Sequence, residues 1–550
     1  MHLDLKSYPQ LLRKLILGSS GKLQLMDLAQ DTLVCAGQSK GEDVKKIVKL
    51  AVDFLLAAWE SDPFDGQLAG QLLALHAKLP CLDPYLYQIL QQVALHWREP
   101  QSTRYIKQLR ISGDIEKIRI VLMREISREP NNLFWWQQVL TNAIYEGDTE
   151  WSASIFEAKV ADIFEPVFIK IRADLSLSRG DFQRADDLYS LLDCFHSLPD
   201  MLFRQAICKM EISGLDKARP LLQAGVVRHP WHINRVLQTY DIMSGRAGHD
   251  PIVSEKVSIL LYSYNKCEFL NSTLQSLWES RLDNFIIFVL NNGSTDGTEG
   301  MLRRWQDIFG LQSFIIINLP VNIGAPAARN WLMHMPEVQN SPFTAFMDDD
   351  IVLPPNWLSR LWTAKLYYPH ASVWGCQVVD YYRPTLIQNV DLHITSKEEW
   401  VEPGQVNPLQ HFNTSALHYQ DLNYYQFNYL RPCASVTGCC HLFNTQTLLN
   451  SGFFDINFTP SQFDDLDHDL RLAMKGKPAV YQGNLAIKHK KMTGKLNESA
   501  TAPETEANIY LLQKRYDGAT IIKIIDWERE MLVSDFLPKI AFLQQEIGKG

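Results

Sequence analysis

The sequence has no apolar run approaching the roughly 18 residues that a membrane-spanning helix needs, so no transmembrane segment is expected. Cysteine is sparse, nine residues in 550, and none falls at CxxC or zinc-knuckle spacing. Cys439 and Cys440 are adjacent, which suits neither pattern, so reduced thiols and a cytoplasmic location are the expectation. The opening MHLDLKSYPQ lacks the basic-then-apolar order of a secretory signal, which points the same way. Positive charge is also in deficit. A net charge of -9 and a pI near 5.9 argue against a nucleic-acid partner. What remains is ordinary globular composition, 46% hydrophobic and 21% charged, in a chain long enough for two or three domains.

The first 245 residues carry helical periodicity and almost no strand signal. EDVKKIVKLAVDFLLAAW (42–59) and PYLYQILQQVALHW (84–97) repeat apolar residues at steps of three and four. Glycines at 113, 147, 180 and 214 recur at intervals of 34, 33 and 34 residues. Ala173 and Ala206 precede the last two glycines and Ala185 and Ala218 follow them, which lets two helices pack closely around each turn. Over about 100–235 this spacing resembles a degenerate tetratricopeptide repeat, although the aromatic positions of that repeat are poorly kept. A generic helical bundle gives the same periodicity. Residues 1–100 read as a helical region without a repeat, 101–245 as the repeats, and 246–256, within the stretch GRAGHDPIVSEK (245–256), as a linker.

The pattern then changes. VSILLYSY (257–264), FIIFVLNN (285–292), SFIIINLP (313–320) and FTAFM (343–347) are strand-length apolar runs separated by helical segments. Alternation of this kind predicts an α/β domain over 257–500, a Rossmann-like, mostly parallel sheet with ligands at the carboxyl ends of its strands. A helical tail is expected over 501–550. Polar residues cluster at those strand ends: Tyr264-Asn265, Asn292 with the turn GSTDGT, Asn322 to Asn330, and Asp348-Asp349-Asp350. Each cluster alone is a common turn or a solvated loop. Four in register within one α/β unit point to a site. Three adjacent carboxylates repel one another, so something positive has to face them.

Residues 256–495 resemble the family 2 glycosyltransferases of GT-A fold, through the aromatic-Asn after the first strand, the turn resembling DDGSTDGT, the NxGxxxARN segment and a DxD motif. The resemblance implies a metal-dependent transfer of a sugar from a nucleotide diphosphate. Its DxD pair is Asp348, toward the ribose and a metal-bound water, and Asp350 on the metal, with Asp349 able to replace either. Hard oxygen ligands favour Mn²⁺ or Mg²⁺. Tyr264 and Asn265 would lie against base and ribose. Asn292 stands where the family commonly has an aspartate, which leaves the base open, with uracil first. Gly324 would allow close backbone approach. Arg329 would meet phosphate or carboxylate, or organise the site as a salt bridge.

On the acceptor side, PSQFDDLDHDLRLAMKG (460–476) resembles the family's EDxDL…R segment. That resemblance places Asp465 as the general base, Asp464 where the family has Glu, and an Asp467–Arg471 pair one turn apart. Gly438 would let the backbone close on the sugar, and His489 matches a metal ligand of some relatives. The aromatic-rich stretch 380–432 is long for a loop and reads as a lid or acceptor surface, with Trp374, Tyr381 and Tyr425 either stacking on sugars or packing on the sheet. The leading expectation is an inverting, UDP-sugar-dependent transferase acting on a protein or glycan hydroxyl, with helical repeats that could engage a protein. The alternative is a catalytically weak scaffold that recruits a partner through those repeats. A nucleotidyltransferase would need a glycine-rich, lysine-bearing loop after the first strand, and YSYNKCEF has no such glycines.

Overall fold

The computed structural model describes residues 9–38, 42–158, 160–192, 195–397, 399, 410–490 and 502–549. The expected boundary at 500/501 lies outside the described residues. Described residues up to Met243 form helices and short connections only. Each repeating glycine stands between two helices with positive φ: 65° at Gly113, 64° at Gly147, 78° at Gly180 and 82° at Gly214. Only glycine takes this backbone freely, so the spacing of about 33 residues is a spacing of chain reversals. At three of these turns an aspartate follows and caps the next helix. Asp114 accepts from Lys117 N–H, Asp148 from Trp151 N–H and Asp181 from Arg184 N–H. Ala173, Ala185, Ala206 and Ala218 are fully buried where the helices meet.

No helix or strand occupies the stretch between Met243 and Val257. The sheet begins with β1 (Val257–Ser263), β2 (Phe285–Asn292), β3 (Phe314–Leu319) and β4 (Phe343–Met347). These four are parallel in the order β3-β2-β1-β4, with Val257 level with Phe285 and Phe343. Their carboxyl ends therefore share one edge. The sheet continues with β5 (Ile351–Val352), β6 (Val373–Asp380) and β7 (Ile387–Asn389); a separate hairpin is β8 (Ile394–Ser396) with β9 (Phe412–Thr414). Beyond it, β10 (Leu430–Cys433), β11 (Cys440–Asn444) and β12 (Ala479–His489) complete the main sheet, which runs β10-β12-β6-β11-β4-β1-β2-β3. β11 lies antiparallel between β4 and β6, while β12 is parallel to β6, so the parallel arrangement is interrupted by one reversed strand at the centre. The expected combination of a helical half and an α/β half is present.

Of the stretch 380–432, residues 398 and 400–409 lie outside the described residues; in the rest Tyr381, Tyr382 and Tyr419 are exposed while other aromatic rings are packed inside the protein. Leu422, Tyr424, Phe427 and Tyr429 are buried against the helical half. Gln238 donates to Tyr425 O at 2.7 Å, and Leu430 N–H donates to Asp241 at 2.5 Å. Arg431 reaches the first helices, donating to Ile16 O at 2.9 Å and Leu17 O at 2.6 Å, and pairs with Asp391 at 2.5 Å. Trp374 is also buried, within β6. Aromatic composition alone could not say which surface covers these rings; the helical half covers Tyr424, Phe427 and Tyr429, and the core of the α/β half covers Trp374. The C-terminal helix Gly518–Ile547 locks the same seam, with Glu528 on His393 at 2.7 Å and Lys539 on Leu430 O at 2.8 Å.

Candidate active site

A cavity of about 390 Å³ opens at the shared carboxyl edge of the parallel strands. On one wall stand Asp348, Asp349 and Asp350, directly after β4. The helix Cys267–Trp278 fixes this turn, because Thr273 Oγ1 donates to Asp349 O at 2.9 Å and to Ile351 O at 2.8 Å. Asp349 and Asp350 point inward and are buried; Asp348 keeps 26% of its side chain in solvent.

The positive partner that the triplet demanded is a lysine. Lys266 Nζ lies 2.9 Å from Asp349 Oδ1 and 3.0 Å from Asp350 Oδ2. Burial pushes Asp349 up to about 6, against the pull of Lys266. For Asp350 burial also opposes charge, but the His489 hydrogen bond and Lys266 outweigh it and hold the carboxyl well below its usual range. Sequence reasoning passed over Lys266. It sits next to the aromatic-Asn pair, and the need for a cation beside the triplet was the signal that could have found it.

His489 ends β12, and its Nε2 lies 3.1 Å from Asp350 Oδ1. Its Nδ1 faces Gln388 Oε1 at 2.7 Å, and the Gln388 amide is oriented by its own donation to Asp380 at 3.1 Å. Nδ1 is therefore the donor to Gln388, and Nε2 faces Asp350, donating to its carboxylate when it carries a proton and free to turn its lone pair to a metal when it does not. Donor atoms of Asp348, Cys439 and His489 also lie within 4.8 Å of one another. This corner fits a divalent metal, with Asp348 and His489 as ligands and Asp350 at its edge.

The facing wall is the helix Asp464–Ala473. Its two leading carboxylates have different partners. Asp464 is buried and pairs with Arg329 at 2.6 Å. Burial pushes it up to about 6, although Arg329 works the other way. Asp465 is half-buried and accepts Gly438 N–H at 2.7 Å through Oδ2 and Leu466 N–H at 2.9 Å through Oδ1. Asp467 pairs with Arg471 at 3.0 Å and with Arg515 at 2.7 Å. The C-terminal helices brace this wall: Asn508 donates to Ser461 O at 2.9 Å and Tyr516 to Asp467 at 2.9 Å.

Arg329 spans the two walls, 3.9 Å from Asp348 as well as 2.6 Å from Asp464, between the rings of Tyr262 and Phe454. A Cβ on Gly438 would stand 2.7 Å from Arg329 Nη2 and 2.8 Å from Asp465 Oδ2, so only glycine fits without displacing them. A Cβ on Gly324 would meet Thr459 at 2.7 Å, with φ at 83°. Tyr264 lines the mouth, 45% exposed. Asn292 lines the cavity while bracing the neighbouring loop, donating to Asn322 Oδ1 at 2.9 Å and accepting Ile323 N–H at 3.0 Å. Asn265 is placed differently from expectation. Its carboxamide oxygen accepts Thr295 N–H at 2.8 Å and its backbone N–H donates to Ser294 Oγ at 3.0 Å, so it ties two loops together instead of lining the cavity.

Residues 258–431 match the family model Glycosyl transferase family 2. The putative teichuronic acid biosynthesis glycosyltransferase TuaG of Bacillus subtilis (strain 168) is 28% identical over 94 residues, 17% of this chain and 35% of that protein. The validoxylamine A glucosyltransferase of Streptomyces hygroscopicus subsp. jinggangensis (strain 5008) is 26% identical over 137 residues, 24% of this chain and 30% of that protein. The chain thus spans about a third of the length of these curated relatives. Among solved structures, GalNAc-T7 with UDP, GalNAc and Mn²⁺ aligns with TM-score 0.38 and 8% identity, over 49% of this chain and 50% of that one. The Pyrobaculum calidifontis mannosyltransferase PcManGT with GDP-Man and Mn²⁺ aligns with TM-score 0.34 and 16% identity, over 60% of this chain and 87% of that one. Among the described residues no helix is long and apolar enough to cross a membrane. The α/β half of this chain carries a glycosyl transferase family 2 domain.

Proposed function

We propose that this protein is an inverting glycosyltransferase that moves a sugar from a nucleotide-diphosphate donor, a UDP-sugar first, to a hydroxyl of a glycan or protein. The observation that carries the reading is a single cavity with the acidic triplet on one wall and Asp465 on the other. Asp348, Asp350 and His489 would hold Mn²⁺ or Mg²⁺, which when bound supplies positive charge for the departing diphosphate. Lys266 keeps Asp349 and Asp350 from repelling each other before any donor arrives. Tyr264 offers an exposed ring to the base, and Arg329 anchors the acceptor-side wall through Asp464.

Asp465 is the base. Two backbone N–H groups fix its carboxylate, and its remaining lone pairs are left for the proton of the acceptor hydroxyl. The hydroxyl oxygen then attacks the anomeric carbon as the bond to the diphosphate breaks, and the configuration inverts in one displacement. Asp464 is committed to Arg329, which is why the neighbouring carboxylate takes the chemical role. The helical hairpins, with the spacing of tetratricopeptide repeats, are the part of the chain offered to a protein acceptor.

Calorimetric titration of UDP and GDP with and without Mn²⁺ tests donor and metal together. UDP uptake at least tenfold tighter with Mn²⁺ is expected. Asp465→Asn should keep that uptake and lose transfer by about 10²–10⁴-fold. Metal-independent uptake, or transfer retained by the variant, would overturn the reading.

A further inference from the structure

We propose that Cys439 is a ligand of the metal in this cavity, and that its sulfur turns the preference of the site away from Mn²⁺ and Mg²⁺ toward softer divalent ions such as Co²⁺, Zn²⁺ and Cd²⁺. The inference rests on the reading above that the cavity binds a divalent ion, and it goes beyond the carboxylate-imidazole set that the sequence suggested.

The adjacent cysteines are the starting point. Cys439 stands in the turn just before β11, and Cys440 is the first residue of that strand. Both thiols border the core that holds Cys376 and Leu442, but Cys439 also lines the polar cavity. A buried cysteine usually acts as a small hydrophobe, and Cys440 fits that description. Cys439 borders the core too, but its sulfur also shares a corner with the carboxylate of Asp348 and the imidazole of His489, all three donor atoms lying within 4.8 Å of one another. Metal–ligand bonds of about 2.0–2.3 Å at tetrahedral angles hold donors roughly 3.3–3.8 Å apart, so binding would draw the farthest pair together by about 1 Å.

The corner is held by the sheet itself. Asp348 N–H donates to Cys439 O at 3.1 Å, continuing the ladder in which Cys440 stands level with Met347. His489 stands level with Ile351 on the other side. The three donors therefore come from hydrogen-bonded segments and need no loop closure. The His489 ring is also oriented, since its Nδ1 is spent on Gln388 and its Nε2 is turned inward. Asp350, the oxygen ligand that would harden the site, already shares its charge with Lys266. One carboxylate, one imidazole and one thiolate form a borderline-to-soft set that favours Co²⁺, Zn²⁺ and Cd²⁺ over Mn²⁺ and Mg²⁺. On binding, the S–H bond breaks, sulfur donates the electron pair to the ion, and the proton leaves to solvent. No oxidant or reductant takes part.

The test uses the full chain, stripped of metal. Titration with Co²⁺ should raise a near-ultraviolet sulfur-to-cobalt charge-transfer band that saturates at one equivalent. Cys439→Ala should lack the band and Cys35→Ala should keep it. Calorimetry with Cd²⁺ and Mn²⁺ should find Cd²⁺ the tighter ligand of the wild type, with the ratio of affinities falling at least tenfold in Cys439→Ala. Cys439→Ser, which keeps the size of the side chain, serves in its place if the alanine variant fails to fold. A band that survives in the Cys439 variant, or an unchanged ratio, overturns the inference. If UDP uptake still requires a metal in that case, the functional reading stands without the cysteine. If none of Mn²⁺, Co²⁺ and Cd²⁺ binds, the reading of the cavity falls as well.

Discussion

At the seam between the helical half and the sheet, Arg431 and Asp391 are 1% and 2% exposed, and all three guanidinium nitrogens donate within the protein. Around them His393 meets Glu528, and Glu528 meets Arg529 at 2.8 Å. At the cavity the same residue types are left incompletely matched. Asp348 stays a quarter exposed and Arg329 Nε has no hydrogen-bond partner. Asp465 is held by backbone N–H groups instead of a cation within hydrogen-bond reach. A closed network has no capacity left for a ligand and serves to fix one chain against another. A network with free lone pairs facing a cavity costs stability and keeps its capacity for substrate. The seam is not matched atom for atom, since Arg529 Nε also lacks a partner; what separates the two networks is that the seam's charges face one another and the cavity's face open space.

Breaking the seam should give the largest change. Arg431→Met removes the guanidinium but leaves Asp391 buried, along with two carbonyls of the first helices that lose their donor. Removing one partner of a buried pair costs about 3–5 kcal/mol. Urea unfolding should show that loss. Donor affinity per folded molecule should be unchanged, because the seam does not line the cavity. If Arg431→Met instead weakened UDP uptake without loss of stability, the division between the two networks would be wrong.

The α/β half was legible because its strands are apolar runs of the right length with polar residues at one end, a local signal. The repeat was legible because a chain reversal at positive φ needs glycine. The seam was not. Nothing in 380–432 distinguishes an aromatic ring waiting for sugar from one covered by a helix 190 residues earlier. Within the site, Asp348, Arg329, Gly438 and Asp465 line one cavity; the strand-end clusters pointed to the first two and the family resemblance to the others. Lys266 and Cys439 escaped because their roles come from pairing across strands, with sequence separations of 84 residues for Lys266–Asp350 and 91 for Asp348–Cys439. Asn265 was misplaced for the converse reason: a local hydrogen bond to Thr295 takes the side chain that the motif assigns to a ligand.

Asp241 sharpens the comparison, since it belongs to the seam yet is not neutralised by an ion pair within reach. It is fully buried, accepts Leu430 N–H through Oδ2 and has no partner at Oδ1. Burial pushes its carboxyl from 3.8 up to about 7, against the pull of Lys539. The native state thus keeps a proton that the unfolded chain has lost, and this contribution to stability, full below the ordinary value, declines as pH rises to about 7. Between pH 5 and pH 8 the decline is about 2.6 kcal/mol. Asp241→Asn keeps an acceptor for Leu430 N–H and holds its donor at every pH. Its unfolding free energy should fall less over that interval, by that amount, and equal slopes for variant and wild type would exclude Asp241 as the source.

The smallest expected effect is at the cavity, from one methyl group. In Gly438→Ala the new Cβ would stand within 3 Å of the ends of Arg329 and Asp465. Neither end is free to swing away, since Arg329 is held by Asp464 at 2.6 Å and Asp465 by the N–H of residue 438 itself at 2.7 Å. The carboxylate should therefore shift by a few tenths of an ångström relative to the acceptor hydroxyl. A shift of that size should lower transfer about tenfold, about 1.4 kcal/mol in the barrier. UDP uptake in the presence of metal and the melting temperature should both stay close to wild type, because the donor wall and the core are untouched. A variant that lost UDP uptake and kept its turnover per bound donor would show that Gly438 serves the nucleotide, and Asp465 would then need another means of orientation.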